Sequence, residues 1–404
     1  MPMRPPAGFI SAFYDPLKNP NAPTIGTATG GDASASVNFT APSNVGGSAI
    51  SSYSAISTPG AFIGSAASSP VTVTGLTNGT AYTFAVWATN TYGPSAFSAA
   101  SNSVTPVAIT PVGLFFGGKN ASGTAIQTIQ QTNITSTGNT TFFGNLAVAT
   151  AFLTACGSST RGVVWGGETA ADGHTNVIQY VTFASASNTT DFGDTSAPCR
   201  RDGALANSTR GVCALGSTST EATTNIIEYI TIATTGNSTD FGDMAVEAVN
   251  SLGAFSSSTR GVFCGGGIPS NVMQYITIAT TGNTSDFGDL LAGTTNLNTG
   301  LSSTTRGIIG GGSSTGYTNV IQYVTIATTG NATDFGDLTV GRQNLAELSS
   351  TTRGIFGGGY DGAASNVIDY ITIATTGNAT DFGDLYIDPL FGVTGASNCH
   401  GGLS

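Results

Sequence analysis

One phrase recurs along most of the chain and restricts its fold more than any other feature. Residues 324–338 read VTIATTGNATDFGDL, and residues 371–385 repeat them with Ile at the first position. The phenylalanine of this phrase recurs at intervals of 46 to 49 residues, at Phe143, Phe192, Phe241, Phe287, Phe335 and Phe382. A period of this length is typical of arrays in which each copy forms one structural unit. The copies are rich in Thr, Ile, Val, Phe and Gly without a helical apolar period, which predicts a small antiparallel sheet per copy.

The charges follow the repeat. The chain has 404 residues, 8% charged and 39% hydrophobic, and a formal net charge of −11, which is too apolar a composition for a disordered chain. Ten of the 22 acidic residues lie in DFGD phrases, at Asp191, Asp194, Asp240, Asp243, Asp286, Asp289, Asp334, Asp337, Asp381 and Asp384. Because Lys18 and Lys119 are the only lysines, the cationic footprint that nucleic acids require is missing, and no nucleic-acid partner is predicted.

Other classes of protein are disfavoured by what the sequence lacks. No apolar run approaches the length of a membrane span, and no cofactor motif is present. The five cysteines form no C-x-x-C pair, so reduced, buried thiols are favoured over a disulfide framework. Prolines interrupt the first 20 residues where a signal peptide needs an apolar helix, so export by that route is not expected.

Residues 1–20 are predicted to be an extended, proline-rich arm. Its apolar patch either folds back on the chain or docks on a partner, and the candidate docking residues are Phe9, Ile10, Phe13 and Tyr14.

Residues 21–107 alternate apolar and polar positions between Gly, Pro and Asn clusters, which predicts a β-sandwich. Residues 75–82, GLTNGTAY, precede the alternating strand 83–88 and resemble the tyrosine corner of fibronectin type III domains. The resemblance implies that Tyr82 turns its hydroxyl back to the upstream backbone. Phe39 stands where that family usually carries a core tryptophan, and no R-G-D sequence is present. A spacer role is favoured over a binding role.

Residues 108–404 are predicted to form an all-β propeller. Each copy has an Arg before an apolar strand, glycines after it, an Asn-Val-x-x-Tyr strand and an aromatic residue near a fourth strand, a pattern that resembles kelch repeats. Four strands per copy and six copies imply six blades. The first copy lacks a first strand, and residues 391–400 align with one, so the last strand is expected to complete the first blade and remove two open sheet edges.

The residues that recur in every copy are expected to be architectural. They are Arg161, Arg210, Arg260, Arg306, Arg353, Asp191, Asp240, Asp286, Asp334 and Asp381. We expect Arg306 or Arg353 to pair with a DFGD carboxylate of its own or a neighbouring blade. The Asp pairs lack the loop pattern of a calcium site. Two distant histidines and acids in dissimilar loops identify no catalytic set, so the chain is not predicted to be an enzyme.

Function is expected in the loops between second and third strands, which differ most between copies. Trp165, Tyr317 and Tyr360 lie in or beside these loops and are candidates for stacking on sugars, although Trp165 also fits a core position.

The module combination resembles phage virion proteins that serve as decorations or fibres. This resemblance implies a virion-surface protein that is assembled in the host cytoplasm, as a homo-oligomer or in many copies on the particle, and that contacts other virion proteins and host-surface glycans. An adhesin on the cell surface or outside the cell, and a carbohydrate-active enzyme, are the alternatives.

Overall fold

A computed structural model describes residues 18–169, 173–218, 224–248, 252–265, 270–294, 300–387 and 390–403. In these ranges the fold is all-β, with antiparallel strand pairs and one short 3-10 turn, Gly401–Leu403. No helix in the described part of the chain is long and apolar enough to span a membrane. The chain divides into two compact units, residues 1–110 and 111–404. The predicted docking residues Phe9, Ile10, Phe13 and Tyr14 lie outside the described ranges.

The N-terminal unit consists of two sheets that bury one shared core. The three-stranded sheet has the order β1-β2-β5 and the four-stranded sheet the order β4-β3-β6-β7. Alternate residues of β2, β5 and β6 are buried between the sheets, as period-two patterning requires. The strands are β1 (Thr24–Gly31), β2 (Ser34–Thr40), β3 (Ser52–Thr58), β4 (Ile63–Ala66), β5 (Val71–Thr74), β6 (Thr83–Asn90) and β7 (Gly93–Pro94).

Tyr82 behaves as the sequence predicts. Its hydroxyl oxygen accepts a hydrogen bond from the backbone N–H of Thr77 at 3.0 Å, and its ring is buried in the core. The phenol therefore fixes the turn that leads into β6.

The C-terminal unit contains the repeats as six sheets of four main strands. Sheet 1 has the order β34-β8-β9-β10, sheet 2 β12-β13-β15-β16-β19, sheet 3 β17-β18-β20-β21, sheet 4 β22-β23-β24-β25, sheet 5 β26-β27-β28-β29 and sheet 6 β30-β31-β32-β33, while β11 pairs with β14. The strands are β8 (Val112–Phe116), β9 (Thr128–Asn133), β10 (Thr141–Asn145), β11 (Thr150–Ala151), β12 (Thr154–Gly157), β13 (Arg161–Trp165), β14 (Glu168–Thr169), β15 (Thr175–Thr182), β16 (Thr190–Arg200), β17 (Gly203–Ala206), β18 (Arg210–Ala214), β19 (Ser217–Thr218), β20 (Thr224–Thr231), β21 (Thr239–Ala248), β22 (Gly253–Ser256), β23 (Arg260–Cys264), β24 (Ser270–Thr277), β25 (Ser285–Thr294), β26 (Leu301–Ser302), β27 (Arg306–Gly310), β28 (Val320–Thr325), β29 (Thr333–Asp337), β30 (Ala346–Ser349), β31 (Arg353–Gly357), β32 (Val367–Thr372), β33 (Thr380–Asp384) and β34 (Thr394–Ser397).

The first strands of the six sheets contact one another in a closed cycle. Strands β12, β17, β22, β26, β30 and β34 each contact the next, and β34 contacts β12. Strand β34 joins sheet 1 by pairing with β8, for example Thr394 with Phe116. The glycine after each repeat arginine lets a neighbouring sheet approach, since a Cβ at Gly354 would lie 2.7 Å from the Leu301 side chain. The repeats thus close on themselves through the C-terminal strand.

A hairpin turn links each sheet to the preceding one. The turn asparagine between third and fourth strands accepts a hydrogen bond from the backbone N–H of the last DFGD-type residue in the previous sheet. In sheet 6, for example, Asn378 accepts from Asp337 at 3.1 Å. Gly336 and Gly377 meet at the same junction, where a Cβ on Gly336 would clash with the Gly377 carbonyl oxygen. The asparagine and both glycines of the repeat are therefore junction residues.

A second link uses a buried polar side chain on each third strand. These side chains are Gln130, Gln179, Glu228, Gln274, Gln322 and Asp369. Each accepts a hydrogen bond from the residues that follow the DFGD-type phrase of the preceding sheet. Because buried polar atoms require partners, this position holds adjacent sheets in register.

Sheet 6 uses a buried ion pair at this position. Arg342 Nη2 donates to Asp369 Oδ2 at 2.6 Å, and both side chains are inaccessible to solvent. Arg342 also donates to the Val367 carbonyl, and Thr339 Oγ1 donates to the carboxylate. Burial raises the pKa of Asp369 and lowers the pKa of Arg342, while their attraction opposes both shifts.

Arg342→Met is expected to lower the free energy of unfolding by roughly 3–5 kcal/mol, because it leaves a buried carboxylate without its cation. Adding Asp369→Gln is expected to restore most of this loss, since four other sheets carry Gln at that position. Denaturant unfolding of both variants measures the effect. A double variant no more stable than Arg342→Met would show that the ion pair is not an alternative to glutamine here.

Candidate functional site

Trp165 is not a surface-binding residue. It ends β13 with its side chain fully buried, in a cluster with Cys156, Cys199 and Cys213. Strand β13 is the second strand of its sheet and is covered on both faces, so its last residue joins the core. The expectation that Trp165 stacks on a ligand is corrected.

The repeat arginines bind carbonyl groups, not DFGD carboxylates. Arg306 Nη1 donates to the carbonyl oxygens of Ile373 and Ala374 in the next sheet, at 3.0 and 2.9 Å. Its guanidinium also lies over the ring of Tyr323, 4.7 Å from the centroid. Arg161, Arg210, Arg260 and Arg353 repeat both contacts, so the expected pairing of Arg306 or Arg353 with a carboxylate is corrected. The acids lie on the outer strand, whereas the arginine at the start of the second strand faces the end of the next third strand.

The DFGD acids lie on the outer strands of sheets 2 to 6. The first acid of each phrase is exposed and the second is half-buried; the exposed set is Asp191, Asp240, Asp286, Asp334 and Asp381. Within the described ranges, no group of three or more His, Cys, Asp or Glu residues is arranged to hold a metal ion.

The structure brings Tyr317 and Tyr360 together in an aromatic row. Their ring centroids lie 5.8 Å apart, Tyr360 lies 5.3 Å from Phe391, and Phe391 lies 6.1 Å from Phe152. Tyr317 is 43% exposed, Tyr360 and Phe391 are partly exposed, and Phe152 is buried. The four residues come from different sheets. They meet because the loop after a second strand and the segment before a first strand lie at the same end of antiparallel sheets.

Cations border the buried end of this aromatic row. Lys119 Nζ lies 5.3 Å and Arg201 Cζ 4.8 Å from the centroid of Phe152. Phe152 and Arg201 adopt the left-handed backbone conformation, with φ of 51° and 59°. Bulky residues adopt this conformation only when their surroundings impose it, and such strain clusters at functional sites.

Glu168 lies beside the same cations. Its carboxylate accepts from Lys119 Nζ at 2.6 Å and from Arg200 Nη1. Burial alone would raise the pKa of Glu168, but hydrogen bonding and attraction to Lys119 and Arg200 hold that pKa below its usual range. An acid kept ionised and paired cannot donate a proton to a leaving group.

Asp202, next to Arg201, is a buried acid of a different kind. Its Oδ1 accepts from the backbone N–H of Gly216 at 2.6 Å, and the Cys199 thiol lies nearby. Burial raises the pKa of Asp202 to about 7, although the Gly216 hydrogen bond opposes the shift. The side chain joins the loop after β18 to the segment before β17. Because Asp202 follows Arg201 in the sequence, this buried hydrogen bond anchors the backbone that carries Arg201.

A cavity of about 60 Å³ lies between the first strands, with Cys156, Glu347 and His400 among its lining residues. His400 Nδ1 accepts from the backbone N–H of Gly402, so Nε2 carries the proton and donates to the Gly157 carbonyl at 2.8 Å. Burial lowers the pKa of His400. With both ring nitrogens engaged by backbone, His400 fixes the C-terminal residues and does not activate a nucleophile.

The sequence predicts Tyr317 and Tyr360 as site residues but gives no prediction for Phe152, Phe391 or the cations beside them. A usable signal exists for Phe152 and Arg201: each lies two residues before the first strand of a sheet. No protein-family model matches the chain, and no curated protein matches it.

Asp202→Asn is expected to stabilise the protein at neutral pH. The folded-state pKa of about 7 exceeds the ordinary 3.8, so the contribution of Asp202 is full below pH 4 and is lost as pH rises toward 7. Asparagine keeps the acceptor for Gly216 and never ionises. The variant should gain up to about 4 kcal/mol at pH 8 and little near pH 4.

Thermal and denaturant unfolding from pH 4 to pH 8 measure this difference. The matched control is Asp361→Asn, which changes an exposed acid in a loop. Parallel pH profiles for the wild type and Asp202→Asn would refute the assignment of a raised pKa.

Proposed function

We propose that the protein is a non-enzymatic surface component of a phage virion that uses its C-terminal unit to contact host-surface glycans or neighbouring proteins. In this proposal the C-terminal unit is a six-bladed, kelch-like β-propeller. The closed cycle of six first strands and the pairing of β34 with β8 support that assignment. The N-terminal unit is a fibronectin type III-like spacer, which the Tyr82 hydrogen bond supports.

One observation supports the binding role: the three partly exposed rings of the aromatic row, Tyr317, Tyr360 and Phe391, lie together at the loop end of the sheets. Sugars present apolar C–H faces that pack on aromatic rings, and hydroxyl groups that bond to nearby polar side chains. These rings are partly exposed. Tyr317 and Tyr360 come from variable loops on rigid sheets, as binding residues on repeat scaffolds tend to, and Phe391 comes from the segment before β34.

The remaining segments take supporting roles in this proposal. Residues 1–20 dock on the particle, residues 21–107 separate the propeller from the docking point, and residues 108–404 form the propeller. Low charge and a surface rich in Ser, Thr and Asn suit a protein that is present in many copies on a particle.

Tyr360→Ala is expected to weaken glycan binding at least about tenfold, because the variant loses the ring that lies between Tyr317 and Phe391. A glycan array with neutral and carboxylate-bearing sugars identifies the ligand, and titration of the best one gives the affinity. Tyr92→Ala in the N-terminal unit, where Tyr92 is 46% exposed, is the matched control. Equal losses in both variants, or no glycan bound by the wild type, would contradict the binding role.

The virion assignment has a separate test. Peptides of this chain are expected in mass spectra of purified, nuclease-treated particles at a stoichiometry of many copies per particle. Their absence from particles, together with their presence in a cell-surface fraction, would replace the virion assignment with the adhesin alternative and leave the glycan test unaffected.

A further inference from the structure

The outer surface of the C-terminal unit carries an acidic belt with one interruption. We use the name acidic belt for the DFGD acids on β16, β21, β25, β29 and β33, two on each strand. The equivalent strand of sheet 1, β10, has Phe142 and Asn145 at these two positions. No charged residue occurs between Lys119 and Arg161, so the outer part of sheet 1 is uncharged.

Phe142 is exposed where the other sheets expose an aspartate. Its side chain is 51% accessible, and its neighbour Thr141 is also exposed. A groove of about 330 Å³ adjoins this strand and is lined by uncharged residues, including Gln131, Asn133 and Thr141. The edge of sheet 1 therefore combines an accessible aromatic ring with a neutral polar surface.

The junction beside this edge also lacks one hydrogen bond. At five junctions a turn glycine donates its N–H to the phenylalanine carbonyl of the preceding outer strand, as Gly236 does to Phe192 at 2.7 Å. At the junction of sheets 1 and 2 the turn has Ser187 in place of glycine, and among the described residues no hydrogen bond joins it to Phe143. The Phe143 carbonyl therefore lacks the hydrogen bond that the equivalent carbonyl accepts at the other five junctions.

We propose that the exposed surface of β10 around Thr141 and Phe142, next to the part of the strand that the sheet-2 turn covers, is the interface through which a second copy of this chain binds as a symmetric dimer. Charged side chains on edge strands oppose edge-to-edge association, and β10 alone among the six outer strands lacks them. A two-fold axis at this edge places Phe142 of one copy near Phe142 of the other, as an isologous contact requires.

Charge disfavours a cationic partner at this edge and is compatible with a second copy of this acidic chain. A cationic partner would be drawn to the acidic belt rather than to its interruption. Two copies, each with a net charge of −11, repel when their belts face each other, and the sheet-1 edge is where this repulsion is smallest. The edge can also pack against its own copy, because neither copy brings a charge to the contact and each brings an exposed Phe142 ring.

The test changes sheet 1 to the pattern of the other sheets. Phe142→Asp combined with Asn145→Asp introduces residues that five homologous strands already carry, so the fold is expected to survive. Sedimentation velocity of the full chain over a wide range of concentration is expected to show a wild-type dimer. The double variant should raise the dimer dissociation constant by at least about 100-fold, because four carboxylates are brought together. Higher salt should tighten the wild-type dimer by screening the belts.

Phe97→Asp is the matched control, since Phe97 is a 59% exposed phenylalanine in the N-terminal unit. Phe142→Ser tests the ring without added charge, and unfolding curves check that each variant is folded. Loss of the dimer in both Phe142 variants with retention in Phe97→Asp supports the proposal. A wild-type monomer at all concentrations, a dimer that survives Phe142→Asp/Asn145→Asp, or loss only in Phe97→Asp overturns it.

Discussion

The contact between each hairpin turn and the outer strand of the preceding sheet holds the C-terminal unit together. A small four-stranded sheet cannot bury both of its faces alone, so each repeat depends on its neighbours for stability. At every junction a turn asparagine accepts the N–H of the last residue of the preceding phrase, as Asn139 accepts from Asp384 where sheet 1 meets sheet 6. The two parts of the repeated phrase thus bind each other across adjacent copies. This explains why they occur together in nearly every copy.

Adjacent sheets meet a second requirement with different side chains. A polar atom buried on the third strand must accept hydrogen bonds from the preceding sheet. Gln274 does so as a neutral amide, whereas Asp369 does so as an anion with Arg342 beside it. The neutral amide requires no desolvation of charged groups. The ion pair requires it but adds a hydrogen bond from Arg342 to the Val367 carbonyl. One position in the repeat therefore accepts two chemistries with the same geometry.

Local features of the fold and the pairing of β34 with β8 could be predicted from the sequence, whereas side-chain contacts between distant segments could not. The sequence predicts an Asn-Val-x-x-Tyr strand in each copy, and in sheet 6 that strand spans Val367–Thr372, because alternation and turn residues act within one hairpin. The partner of Arg306 could not be identified, since its carbonyl acceptors lie 67 and 68 residues away and carbonyls carry no sequence signal. The same limit applies to the site. Tyr317 and Tyr360 were found as aromatic residues in variable loops, but Phe391 and Phe152 join them only through the closed cycle of sheets.

The pairing of β34 with β8 sets the order in which the C-terminal unit can be completed during synthesis. Strands β8, β9 and β10 leave the ribosome early, but the first strand of their sheet emerges some 280 residues later, after the other five sheets have been made. Until then sheet 1 presents an open edge at β8 and its apolar residues lack their cover. Ring closure is therefore a late event that joins distant parts of the chain, and contacts of such long range slow folding. The nascent chain must stay soluble through this interval, and the polar surface of the repeats helps to keep it so.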